Sequence, residues 1–220
     1  MFRWIRRGGS AGRIAAIEGY FGQLRANDPD PDRKSFACAI LGRLFRRQQR
    51  LDDAVAQYQR IVEINHDLWA WYGCQKLGTL LRRKDPDRAI AALEGFEQRR
   101  SHLNILGDEP TYLELGRLYT RQRQHAKAEA LYRWLLERAG WGEIRWPQMV
   151  EQITAGLAGA LFGQGKDEEA EALIGPYFAK YRYGTPIEEL TLEERSDLAG
   201  LLFGMGRFDE AQKLRQIRAP

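Results

Sequence analysis

Gly163-Gln164-Gly165-Lys166 carries the residue types of a phosphate loop, where glycines free backbone N–H groups for an anion and a lysine adds charge. A phosphate loop also needs wider glycine spacing and a strand before it, and neither is present. Gly204-Met205-Gly206-Arg207 repeats the pattern 41 residues later, which marks both segments as turns between paired helices. His66, His102 and His125 stand apart, at or near predicted helix ends, and none shares ligand spacing with cysteines or carboxylates. Ser10, Ser35, Ser101 and Ser196 lack the strand-turn-helix setting of a nucleophile. Glu168-Glu169 and Glu193-Glu194 fall in first turns of predicted helices, where the helix dipole favours negative charge. The expectation is a protein that is not an enzyme, with no catalytic residues, no metal and no cofactor. What remains for chemistry is a recurring set of cations: Arg43, Arg46 and Arg47, then Arg82 and Arg83, then Arg117 and Arg121.

The elements that position these residues are repeated. Leu157 to Ala170 aligns without gaps on Leu198 to Ala211, as LAGALFGQGKDEEA on LAGLLFGMGRFDEA. Earlier copies follow the same order, with Leu41-Gly42, Phe45, Ala54 and Tyr58; Leu77-Gly78, Leu81, Ala89 and Leu93; and Tyr112, Leu115-Gly116, Tyr119, Ala128 and Tyr132. Ala16 and Tyr20 open the chain as the second helix of an incomplete pair. In each unit a small residue (Gly42, Gly78, Gly116, Ala158, Ala199) permits a close approach by the first helix. A second (Ala54, Ala89, Ala128, Ala170, Ala211) sits where the second helix crosses it. Large apolar residues three or four positions away fill the grooves between helices. Helices of about 12–15 residues are marginal alone, so the units must stack on one another.

Boundary signals agree. Asp85-Pro86 places a cap before a first-turn proline, and Thr185-Pro186-Ile187-Glu188 and Thr191-Leu192-Glu193-Glu194 both read as capping boxes. Gly140-Trp141-Gly142 reads as a loop between units three and four. The predicted fold is all-α: about five antiparallel helix pairs preceded by one extra helix, over residues 11–217, after a basic arm at 1–10.

These motifs resemble the tetratricopeptide repeat family, over roughly residues 11–217. The resemblance implies a right-handed superhelical solenoid whose first helices line a concave, peptide-binding face. Its typical period is about 34 residues, whereas the second-helix alanines here are spaced 38, 35, 39, 42 and 41 residues apart. The family's early tryptophan is replaced by Cys38, Cys74, Tyr112 and Thr154, so an irregular superhelix is expected. Projected onto that arrangement, Arg43, Arg46, Arg47, Arg82, Arg83, Arg117 and Arg121 face the groove or its edge. Units four and five turn apolar there, with Gly159, Phe162, Gly200 and Phe203, so the groove runs from arginine-rich to aromatic. Two alternatives stay open: the arginines as a solvated face, and Phe162 and Phe203 as core. Arg43, Thr79 and Arg117 occupy places where some members hold a C-terminal carboxylate with lysine and asparagine, which argues against that adaptor role.

Composition narrows the class. With 220 residues, 44% hydrophobic and 29% charged, the chain has the make-up of a soluble globular protein. Its apolar runs are far short of a membrane span. Net charge is +4, unevenly spread: residues 1–50 hold 11 basic against 4 acidic side chains (+7), and 151–220 hold 8 against 12 (−4). Such polarity argues for an acidic partner, and nucleic acid is disfavoured because no regular polar pair recurs in each unit. Cys38 and Cys74 read as small core residues in a reducing, cytoplasmic compartment. The arm residues Phe2, Arg3, Trp4, Ile5, Arg6 and Arg7 admit three readings: a disordered tail, a membrane-surface or partner-docking arm, and a targeting remnant.

The function expected is a protein–protein interaction scaffold or adaptor that binds an acidic or amphipathic segment, with assembly of a larger complex as its setting. The alternatives are a stable structural subunit of a large, membrane-associated assembly, and an RNA-binding helical repeat. Trp69, Trp71, Trp134, Trp141 and Trp146 discriminate, since burial between repeats favours the groove and exposure favours permanent subunit contacts.

Overall fold

The computed structural model describes residues 11–100, 109–140 and 147–216. It is helical throughout, with no strand among the described residues. The helices fall into two compact units, residues 1–104 and 105–220.

The first unit holds α1 (Ala11–Asn27), α2 (Pro31–Arg47), α3 (Leu51–Ile64), α4 (Asp67–Leu81) and α5 (Pro86–Arg100). Each packs on the next, and α2 also touches α4. α2 starts where its sequence directs: the Asp30 side chain accepts from the Asp32 N–H at 2.9 Å, and Pro31 fills the first turn. α3 gains Asp52 and Asp53 in its first turn and ends on left-handed Asn65. α5 begins at Pro86, with Asp85 accepting from the Arg88 N–H at 3.2 Å.

The second unit holds α6 (Glu109–Arg121), α7 (His125–Gly140), α8 (Pro147–Phe162), α9 (Asp167–Lys180), α10 (Leu192–Gly204) and α11 (Phe208–Gln216). Pairs α6/α7, α8/α9 and α10/α11 are each in contact, and α8 lies between α6 and α10, touching both. Thr191 makes the expected capping box, its side chain accepting from the Glu194 N–H while Glu194 accepts from the Thr191 N–H. Thr185 does not cap. Pro186 instead opens a single 3-10 turn, Ile187–Glu189, without a side-chain cap. The Thr185 N–H that a box would use donates instead to the Arg182 carbonyl at 3.1 Å, and the turn stops after three residues.

The small residues meet their partners as their spacing requires. Ala54, Ala89, Ala128 and Ala170 are completely buried, and Ala211 nearly so. Gly42 lies flat against the Tyr58 ring, where a Cβ would come within 2.8 Å; Gly78 does the same for Leu93, and Gly116 for Tyr132. The Tyr132 ring is held from two sides, by Gly116 and Gly156. Glycine at the first-helix position thus accommodates a large residue 15 or 16 positions later on its own partner helix. Cys38 and Cys74 are both free and buried. Burial pushes the Cys38 thiol up, away from the thiolate.

Four of the helix-pair turns share one geometry. Arg50, Gln124, Lys166 and Arg207 donate their backbone N–H five residues back, to the carbonyls of Phe45, Tyr119, Leu161 and Leu202. The residue before each, Gln49, Arg123, Gly165 and Gly206, is left-handed. The apparent phosphate loop at 163–166 is one of these turns.

Candidate functional site

The expected site residues divide between the two units. In the first, Arg43, Arg46 and Arg47 are exposed on α2; Arg82 caps the C-terminus of α4 and Arg83 follows it. The structure adds two residues that sequence reasoning passed over, Tyr72 and Lys76 of α4. The Tyr58 and Tyr72 rings meet edge to face at 6.0 Å, and the Lys76 ammonium stands 4.9 Å from the Tyr72 ring. Burial, and then the nearby charges of Arg46 and Arg43, hold the Lys76 ammonium below its ordinary pKa. Burial raises the Tyr58 and Tyr72 phenols.

In the second unit, Arg117 of α6 donates to Gln152 Oε1 of α8 at 3.0 Å and carries its guanidinium on to 5.3 Å from the Phe203 ring of α10. Arg215 reaches the same ring at 5.5 Å. Phe203 meets Phe208 edge to face at 5.1 Å, and the Arg121 guanidinium lies 4.7 Å from Phe208. Here the expectation of a groove running from arginine-rich to aromatic changes. Because α6 and α10 flank the same helix, arginines of one pair interleave with aromatics of another.

Beside this cluster opens a cavity of about 480 Å³, lined by Thr120, Arg121 and Arg123 of the first pair, its turn and His125. Gly159 and Phe162 of α8, and Met205, Gly206, Arg207 and Phe208 of the last turn, complete it. Arg121 and Phe162, expected from sequence, share this wall. Phe162 is half-buried, neither core nor fully exposed. Arg207 is already engaged: it donates to Glu210 at 2.5 and 2.7 Å and to the Tyr183 hydroxyl at 2.6 Å. His125 packs its ring on Gly163, and its Nδ1 is buried without a hydrogen-bond partner.

Sequence reasoning had set His125 aside as a helix-end residue and missed Arg123, Met205 and Phe208. His125 and Phe208 are the first residues of α7 and α11, but Asp167, which opens α9, does not line the cavity, so position in the repeat alone does not mark it.

The three tryptophans among the described residues, Trp69, Trp71 and Trp134, are half-buried against neighbouring aromatics. Trp69 is half-buried, donates to Asp32 Oδ1 at 2.6 Å and meets Phe36 edge to face. Trp71 stacks on Phe96, and Trp134 meets Tyr112 edge to face. Trp141, Trp146, His102 and the arm residues Phe2, Arg3, Trp4, Arg6 and Arg7 lie outside the described residues. Among the described residues no metal-ligating cluster occurs, and no helix is long and apolar enough to cross a membrane. No family model and no curated protein matches the chain.

Proposed function

We propose that this protein is a non-catalytic interaction scaffold, an adaptor or assembly factor of irregular tetratricopeptide type, that docks an acidic or amphipathic segment of a partner protein. The observation that carries the proposal is the α6–α8–α10 layer, where Arg117, Arg121, Phe162 and Phe203 come together from three helix pairs. Cations alone are insufficient. Exposed ion pairs contribute about 0.2–1 kcal/mol each, whereas micromolar affinity requires about 8 kcal/mol. An apolar anchor must supply the rest, and Phe162 beside Arg121 offers it within one cavity. Trp69, Trp71 and Trp134 are half-buried, so none of the three offers the fully exposed indole that permanent subunit contacts would use.

The test is fluorescence anisotropy with labelled 12-residue peptides, acidic with one aromatic, against sequence-scrambled and basic controls. Binding of the acidic peptides in the micromolar range is expected, weakening at least tenfold when Arg117 and Arg121 are both changed to Glu. Equal binding by wild type and variant would remove the proposal.

A further inference from the structure

The cavity between the α6–α7 turn, α8 and the α10–α11 turn is more selective in its chemistry than a general acidic groove needs. Four of its ten lining residues are basic or imidazole (Arg121, Arg123, Arg207, His125), and none is a carboxylate. Glu210 takes up Arg207 from behind, which leaves Arg121 and Arg123 as the cations that a guest would meet first. Three further walls are apolar: Phe162, Met205 and Phe208. The Arg121 guanidinium lies over the Phe208 ring at 4.7 Å, so it is partly immobilised and less rotamer freedom is lost on meeting an anion. At about 480 Å³ the space suits one aromatic group and its substituent, at the lower end of ligand-sized pockets.

Arg123 supplies an independent observation. Its backbone is left-handed, φ 57°, at a turn position where the other two turns of this unit have Gly165 and Gly206. A left-handed backbone disfavours any residue with a Cβ, and Gln49 also adopts it in the first unit; what distinguishes Arg123 is the guanidinium it places in the cavity wall.

Resting on the docking proposed above, we infer that this cavity receives a phosphotyrosine side chain of the partner, its ring against Phe162, Met205 and Phe208 and its phosphate facing Arg121 and Arg123. A nucleobase is disfavoured, because the wall offers only Thr120 and His125 as neutral polar side chains to read its edge.

The experiment titrates the full chain by NMR with phenyl phosphate, p-cresol and inorganic phosphate, and by anisotropy with one acidic peptide carrying Tyr, phosphotyrosine or Glu-Tyr-Glu at its centre. Phenyl phosphate is expected to bind at least fivefold tighter than p-cresol or phosphate. Arg121→Glu is expected to weaken phenyl phosphate and the preferred peptide at least tenfold. Arg123→Gly removes a cation while relieving the backbone, so it is expected to melt no lower than wild type and still bind two- to fivefold more weakly. The phosphotyrosine peptide is expected to bind tighter than the Tyr and Glu-Tyr-Glu peptides, and a preference for Glu-Tyr-Glu would overturn the inference. The inference is overturned if p-cresol or phosphate alone binds as well as phenyl phosphate, if a single-stranded oligonucleotide displaces the peptide at equal concentration, or if Arg123→Gly binds unchanged. Peptide binding that survives Arg121→Glu but fails with Arg117→Glu would overturn the cavity and leave groove docking standing. Absence of all peptide binding would end both.

Discussion

Residues 157–170 and 198–211 are the two best-matched stretches of the chain, and each folds as the end of one helix, a left-handed turn and the start of the next. Their aligned side chains nevertheless meet different surroundings. Gly159 is pressed against the backbone of Met205, whereas its counterpart Gly200 has nothing within 4 Å. Phe162 lines the cavity, while Phe203 lies between two guanidinia. Lys166 reaches out of its own pair to Glu129 of α7 at 2.7 Å, whereas Arg207 divides between Glu210 of the helix that follows it and the Tyr183 hydroxyl. Repetition of sequence therefore reproduces backbone geometry, and the neighbouring pair assigns each side chain its work.

This contrast can be broken most severely at Gly159. A methyl group there collides with main chain that cannot rotate away, so Gly159→Ala is expected to cost about 3 kcal/mol in urea unfolding, at the upper end of overpacking penalties. Across the turns, Gly206→Ala is expected to cost more than Gly165→Ala. Both lose a left-handed glycine, φ 81° and 73°, at about 1 kcal/mol, but only the former also meets Thr120, at 2.9 Å. The ordering of the two midpoints checks it.

Glu129 sharpens the difference between Lys166 and Arg207. It accepts from Lys166, Gln164 and Arg133, and its pKa falls to about 2, chiefly through the Lys166 hydrogen bond. A depressed carboxyl stabilises the fold above its unfolded pKa, and that contribution disappears as pH falls through the folded value. Glu129→Gln is therefore expected to lower stability by about 1 kcal/mol at pH 7, the scale of a surface ion-pair network. The gap from wild type should close between pH 4.5 and 2. A pH-independent difference would mean that packing, not charge, ties these pairs. The smallest effect is expected at Gly200→Ala, a gain of about 0.5–1 kcal/mol from helix propensity in open space, read as a higher midpoint.

Much of the helix arrangement was legible because small residues at crossings leave a periodic trace: Gly42, Gly78 and Gly116 each announce the large residue that covers them. Arg121 and Phe162 were also legible as surface candidates. Their meeting in one cavity was not, since they are 41 residues apart and belong to different pairs. His125 looked bland because nothing local distinguishes a helix-end histidine from one lining a cavity. Lys76 was invisible for a related reason: its desolvation and the proximity of Arg43 and Arg46 arise only when α4 packs on α2.

The sequence by itself determined most helix starts, though not the one expected at Thr185, and that the helices associate in consecutive pairs, because capping, period and close approach act over a few residues. Only the tertiary structure decided that α10 packs against α8, bringing the last turn to the end of α6 and enclosing Arg121, Arg123, Phe162 and Phe208 around one space. The spacing between pairs is set by how side chains from distant segments fill the volume between them, and no local pattern encodes that fit.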